Sequence, residues 1–176
     1  MNEIEYNKEL LTEFPFLLPR NVWTGELDED YDYSYTLLDF APVGWKKLFL
    51  QCCRDLAIQL TKERKLNKFR FTQIKEKYNT LRMYNNGCSQ ECHDILLKYE
   101  YLSSFVCQKC GKPADYETEG WISSLCKDCF EKQGLEKKHN INMNLTFTVT
   151  EYSLKGENKK VYDCTEEWER YLKSLV

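Results

Sequence analysis

Four cysteines constrain this chain more than any other feature. They stand as Cys107-Gln-Lys-Cys110 and Cys126-Lys-Asp-Cys129, a C-x2-C-x15-C-x2-C pattern. Two intervening residues let both sulfurs of a tight turn face one ion, and four thiolates complete a tetrahedron around Zn²⁺. Gly111 directly follows Cys110 and relieves the steric cost of the positive φ such a turn often requires. The spacer, with Tyr116, Gly120, Trp121 and Ile122, is long enough for a hairpin that returns the second pair. Cys126-x-x-Cys129-Phe-Glu-Lys reads as a pair opening a helix, where free N–H groups can donate to sulfur. Turn, hairpin and helix in that order predict a treble-clef or zinc-ribbon element. The expected ligands are Cys107, Cys110, Cys126 and Cys129, and the expected cofactor is one structural Zn²⁺. A closed four-sulfur site leaves no position for water or substrate, so it stabilises the fold and is not a hydrolytic centre. Redox chemistry by one CxxC pair is the competing reading, but neither pair follows a strand in a βαβ setting.

The chain has nine cysteines among 176 residues. The odd count speaks against a full disulfide framework, and the polar, acidic start carries no basic-then-apolar leader, so a reducing, cytoplasmic setting is expected. Cys52 and Cys53 fall on or beside an apolar helical stripe and read as small core residues. Cys88, Cys92 and His93 form a conceivable second metal group that lacks an evident fourth ligand. No run of 18 apolar residues occurs, which excludes a spanning helix.

The net charge of −3 conceals an asymmetry. Residues 1–45 carry 10 acids and 2 bases, a net −8, whereas residues 62–82 carry 8 bases and 2 acids, a net +6. Either the two segments neutralise each other or each faces a partner. In residues 26–35 acids and tyrosines alternate, which suits a strand or extended arm with one acidic and one aromatic face, or a solvated loop whose tyrosines lean on the core.

Periodicity predicts an α+β fold. A short helix over residues 6–14 precedes an extended segment punctuated by Pro15 and Pro19. From Trp45, apolar residues at 48, 49, 52, 53, 56, 57 and 60 mark the clearest helix. Residues 68–84 read as two short strands joined through QIKEKYNT. Ser89 caps a helix carrying Cys92, Ile95, Leu96, Tyr99, Leu102 and Val106. Residues 143–152 read as a strand, Gly156 and Asn158 as a turn, residues 161–164 as the returning strand, and Thr165 as the cap of a last helix. The implied organisation is an acidic arm packed on the core (1–43), a helix–hairpin–helix core (44–106), a zinc module (107–140), and C-terminal strands and helix (141–176).

The ordered set Gly44-Trp45, then Gln73-Ile74-Lys75-Glu76-Lys77-Tyr78-x-x-Leu81-Arg82-x-Tyr84, then Cys107-x-x-Cys110-Gly111-Lys112-Pro113, then Trp121 and Cys126-x-x-Cys129, resembles a group of small zinc-binding proteins of bacteria and their phages. The resemblance covers about residues 40–132. Asn79-Thr80 stands where such proteins tend to have Gly, and Cys129 where a His is often found. The resemblance implies a zinc-stabilised α+β module in a phage or mobile-element setting. Because many small phage proteins bind host machinery, immune effectors included, it raises the expectation of an inhibitor of an anti-CRISPR-like kind in the bacterial host cytoplasm.

No HExxH, GxxxxGK[ST], GxGxxG or GxSxG motif is present, and no carboxylate pair forms a recognisable acid–base motif, so catalysis is not expected. Two binding functions are expected instead. The first is a non-catalytic protein that docks on a host protein or ribonucleoprotein, with Asp28, Glu29, Asp30, Tyr31, Asp32 and Tyr33 as one candidate surface. The second is a nucleic-acid-binding zinc-finger regulator using basic residues such as Lys75, Lys77 and Arg82, although pI ≈ 5.6 argues against generic nucleic-acid binding.

Overall fold

A computed structural model describes residues 2–21, 23–27, 29–153 and 156–176. The chain is mixed α+β, with small antiparallel sheets packed among helices. Helix α1 (Glu3–Glu13) starts earlier than the apolar pattern predicts. Asn2 caps it in a reciprocal capping box: its side chain accepts from Glu5 N–H at 2.9 Å, and Glu5 accepts from Asn2 N–H at 3.0 Å. The proline-punctuated stretch is not extended throughout, because Pro15–Leu17 form a 3₁₀ turn. That turn buries Phe16 against Phe69 and Phe71, with centroids 5.6 and 5.5 Å away.

Helix α2 (Lys46–Lys62) is the spine of the core, with Leu48, Phe49, Cys52, Cys53 and Leu56 fully buried. The two cysteines pack as small apolar residues, as their place on the stripe predicts. Helix α3 (Gln90–Ser103) crosses α2 and is capped by Ser89, whose Oγ accepts from Cys92 N–H. It ends three residues before Val106, which instead forms an isolated bridge with Pro113. Helix α5 (Thr165–Ser174) returns to the same core. Its Arg170 grips Asp55 of α2 with two nitrogens at 2.7 and 2.6 Å, and Tyr99 of α3 donates to the same carboxylate at 2.6 Å. Thr165 is the first helical residue and not the cap; the Asp163 carboxylate accepts its N–H and hydroxyl.

The first hairpin differs from the sequence expectation. Strand β1 (Phe71–Lys77) runs straight through QIKEK, and β2 (Thr80–Asn85) follows after only Tyr78 and Asn79, both at positive φ (52° and 61°). Two consecutive left-handed residues match the twist of the strands. Strands β3 (Tyr116–Thr118) and β4 (Ser124–Leu125), helix α4 (Lys127–Lys132) and strand β5 (Lys138–Asn140) make up the four-cysteine module, with sheet order β4-β3-β5. The last hairpin pairs β6 (Thr146–Ser153) with β7 (Gly156–Asp163). Gly156 therefore belongs to the returning strand, which begins five residues before the expected 161. Phe147 of β6 stacks between Tyr101 and Tyr162, fastening this hairpin to α3.

The described residues between 26 and 35 form no strand. Tyr31 packs its ring against Tyr33 and Tyr35 at 5.0 and 5.4 Å, so the tyrosines pack on one another and do not line one face of a strand. Asn7 of α1 pins this loop by donating to the Tyr33 carbonyl at 2.8 Å. Among the described residues no ion pair links the acids of residues 1–45 to the bases of residues 62–82. No helix among the described residues is long and apolar enough to cross a membrane.

Candidate metal centre

Cys107, Cys110, Cys126 and Cys129 converge, and their sulfurs all lie within 4.8 Å of one another. Four sulfurs about 2.3 Å from a shared tetrahedral ion sit roughly 3.8 Å apart, and Cys110 and Cys126 are 3.5 Å apart. None of the nine cysteines is in a disulfide. The four thiols can therefore bind one metal ion.

Local sequence builds the cage. The first pair sits on a turn closed by Cys107 N–H to the Lys112 carbonyl (2.8 Å) and Gly111 N–H to the Cys107 carbonyl (3.0 Å). Gly111 takes φ +80°, the left-handed conformation its position predicts. The second pair opens α4, with Cys126 at the N-cap. Cys126 offers no side-chain cap; Asp115 takes that role by accepting the Lys127 N–H at 2.7 Å. Burial opposes ionisation of Cys107, but backbone hydrogen bonds from Cys126, Cys110 and Lys109 outweigh it and hold this thiol below its ordinary range. Burial pushes Cys126 and Cys129 the other way.

The module has little core of its own. Cys107, Leu125, Cys126 and Phe130 are its buried cluster, with Tyr116 and Cys129 packed beside them. Among the described residues, three ties reach it from outside the segments that adjoin it in the chain. Gly44, just before α2, donates to the Gln108 carbonyl at 2.9 Å, and Trp45, fully buried, donates its indole N–H to the Val106 carbonyl at 2.9 Å. Tyr171 of α5 donates its hydroxyl to the Gly111 carbonyl. Asn79, in the β1–β2 turn, is the third tie.

The Asn79 amide is saturated. Its oxygen accepts from Ser124 N–H (2.8 Å) and Gln108 Nε2 (2.9 Å), and its nitrogen donates to Ser124 Oγ (2.7 Å) and Glu117 Oε1 (3.1 Å). Its own N–H is held by Glu76 Oε1 at 2.8 Å. At φ +61° it takes the left-handed conformation that asparagine tolerates better than most residues, and its side chain welds the turn to the metal module. Asn79→Gly keeps the backbone conformation and removes the side-chain bonds. We expect it to lose about 2–3 kcal/mol of stability, because buried partners are left unpaired; urea melts beside the wild type measure this.

The other expected site residues are scattered. Glu29, Asp30, Asp32 and Tyr33 are exposed, and Asp28 lies outside the described residues. Tyr31 is half-buried and donates to the Tyr35 carbonyl at 2.5 Å; burial, then Tyr35 and Tyr33, push its hydroxyl up to about 12. Lys75, Lys77 and Arg82 share the outer face of the β1–β2 hairpin. Lys75 lies over the Tyr84 ring (4.9 Å), Lys77 lies over Tyr78 (5.2 Å), and Arg82 pairs with Glu100. Cys88, Cys92 and His93 are not gathered as a metal group among the described residues. Cys92 is buried and its thiol faces Glu63 at 3.6 Å, whereas His93 is exposed. Neighbouring helical residues point about 100° apart, so the two do not converge.

Sequence reasoning singled out Gly44 and the Asn79 position only as parts of a resemblance, and it missed Ser124, Asp115 and Tyr171. The sequence signals none of these three, since each acts through a partner distant in the chain. No known family, curated protein or solved structure matches the chain.

Proposed function

We propose that this chain is a non-catalytic binding protein, held in shape by one structural Zn²⁺, that docks on another macromolecule. The donor set supports zinc: four thiolates within 4.8 Å of one another suit tetrahedral coordination of a d¹⁰ ion, which leaves no position for substrate. With Zn²⁺ bound to four thiolates the site sums to −2. The order of knuckle, hairpin and helix is treble-clef-like.

One observation carries the docking reading. Three large aromatics stand almost bare along the β1–β2 hairpin: Trp23 (92 % exposed) beside Gln73 and Tyr84, and Tyr78 (74 %) and Trp121 (80 %) together at the turn. Lys75 and Lys77 lie between them. Exposed Trp and Tyr side chains, Tyr78 on the hairpin turn and the two tryptophans on loops beside it, are the residue types that dominate binding interfaces. The partner that fits this reading is a host protein or ribonucleoprotein in the bacterial cytoplasm, with inhibition as the outcome; that setting rests on the motif order alone. The alternation of aromatics with lysines also favours a second reading, stacking of single-stranded nucleic acid.

The test is quantitative capture from bacterial lysate on the immobilised, metal-loaded chain, analysed for protein and nucleic acid. Replacing Trp23 and Trp121 by Ser should leave metal content and melting unchanged while weakening capture at least tenfold (about 1.4 kcal/mol). Replacing Glu29, Asp30 and Asp32 by Ser should leave it intact. If the acidic variant loses capture and the tryptophan variant does not, the docking surface is the acidic loop and the hairpin reading is wrong. Capture of nucleic acid alone, falling steeply with salt, selects the second reading.

A further inference from the structure

A cleft of about 840 Å³ opens between α1, the segment after the Pro15–Leu17 turn, and the loop leading into β1. Four cations from three separate segments line it: Lys8, Arg20, Lys68 and Arg70. No described acidic side chain lines it, and none of the four cations forms an ion pair among the described residues. In a chain of net charge −3 this is a concentrated positive field.

The two guanidiniums are drawn together by the backbone. Arg20 Nη1 and Arg70 Nη1 each donate to the Gly25 carbonyl at 3.2 Å, so the two nitrogens can be no further apart than twice that distance. Gly25 adopts φ +74°, and a Cβ there would overlap the Arg70 guanidinium, so glycine is what lets Arg70 lie in place. Each guanidinium keeps further N–H donors free after this one bond. Like charges held close without a counter-charge make a site that an anion relieves. The rest of the lining is mostly apolar, with Leu11, Leu18 and Leu66 beside Thr12 and Asn67, and with the Tyr33 ring at one side under Lys8 at 5.1 Å. Its volume lies in the range of small-molecule sites.

We propose that this cleft binds a phosphate ester carrying several negative charges on an apolar or aromatic body, the chemical class of nucleoside di- and triphosphates. Arg20 and Arg70 fork onto the phosphate oxygens, Lys8 and Lys68 supply the outer charge, and the leucine floor with Tyr33 takes the body. None of the four clustered cysteines and neither Trp23 nor Trp121 lines the cleft, so the proposal does not rest on the docking reading.

The probes are ATP, adenosine and inorganic pyrophosphate, titrated by calorimetry into the full, metal-loaded chain at low salt. ATP should bind saturably, and adenosine and pyrophosphate at least tenfold more weakly. The Arg20→Gln/Arg70→Gln variant should lose about tenfold to a hundredfold, since charge-assisted hydrogen bonds are removed. Lys8→Gln/Lys68→Gln, which leaves the Gly25 contacts intact, should weaken ATP in the same direction and flatten its salt dependence. Absence of saturable ATP binding up to about 1 mM, equal binding by the variants, or pyrophosphate binding as tightly as ATP would each overturn the proposal. Binding of a short single-stranded oligonucleotide without ATP binding overturns it too, and would assign the cations to nucleic acid.

Discussion

Stripped of its metal by a chelator, or carrying Cys107→Ser, the protein is expected to lose the fold of residues 107–140 and most of its cooperative melting transition. The buried cluster of this module, four residues of which two are cysteines, is far too small to hold itself together. Structural zinc in small peptides supplies about 10–16 kcal/mol of apparent binding energy, comparable to the whole stability of a typical domain. Loss extends beyond the module because Gly44, Asn79 and Tyr171 all bond to its backbone or side chains. Near-ultraviolet circular dichroism should collapse on chelation and recover with one equivalent of Zn²⁺, with elemental analysis giving one ion per chain. An unchanged melt without metal would remove the ion from the stability argument altogether. Serine at Cys107 is expected to act more severely than at Cys110, because Cys107 is fully buried and Cys110 is exposed.

Gly44→Ala is expected to destabilise by about 3 kcal/mol or more, a large effect for a single methyl. A Cβ at Gly44 would overlap the Cys107 carbonyl oxygen and lie 2.7 Å from Gly111 N and 2.8 Å from the Gln108 carbonyl carbon. All three are backbone atoms of the first cysteine turn, which cannot rotate aside. The segment must back away, breaking the Gly44–Gln108 and Trp45–Val106 hydrogen bonds together. The same shift disturbs the cysteine turn, so zinc affinity measured by chelator competition should fall alongside the denaturant midpoint. A normal affinity in a destabilised variant would mean that the cage is set independently of α2.

These two predictions rest on features that were unequally visible in the sequence. The cage was legible because its signals are local: paired cysteines, a glycine at the left-handed position, and a helix opening at Cys126. The α2 stripe was legible because seven apolar residues repeat at helical spacing. The hairpin was legible in kind but misplaced in detail. β1 alternates cleanly only to Ile74; the next inward position is Glu76, spent on the Asn79 N–H, so the apolar period breaks while the strand continues. β5 carried no signal, since Lys138, His139 and Asn140 are all polar and exposed; they join β3 through backbone pairing, with Lys138 laid over the Tyr116 ring at 3.5 Å. The Tyr–Asp alternation of residues 26–35 mimicked a strand because period two also arises when rings pack locally on one another.

The three ties to the cysteine turn also set an order of assembly. Gly44 and Asn79 leave the ribosome well before the second cysteine pair, and Tyr171 well after it. The N-terminal hundred residues thus emerge with their seat not yet built, and long-range closure of this kind is slow and exposes apolar surface meanwhile. Supply of the metal ion during synthesis, besides equilibrium stability afterwards, is then expected to set how much of the newly made chain escapes proteolysis.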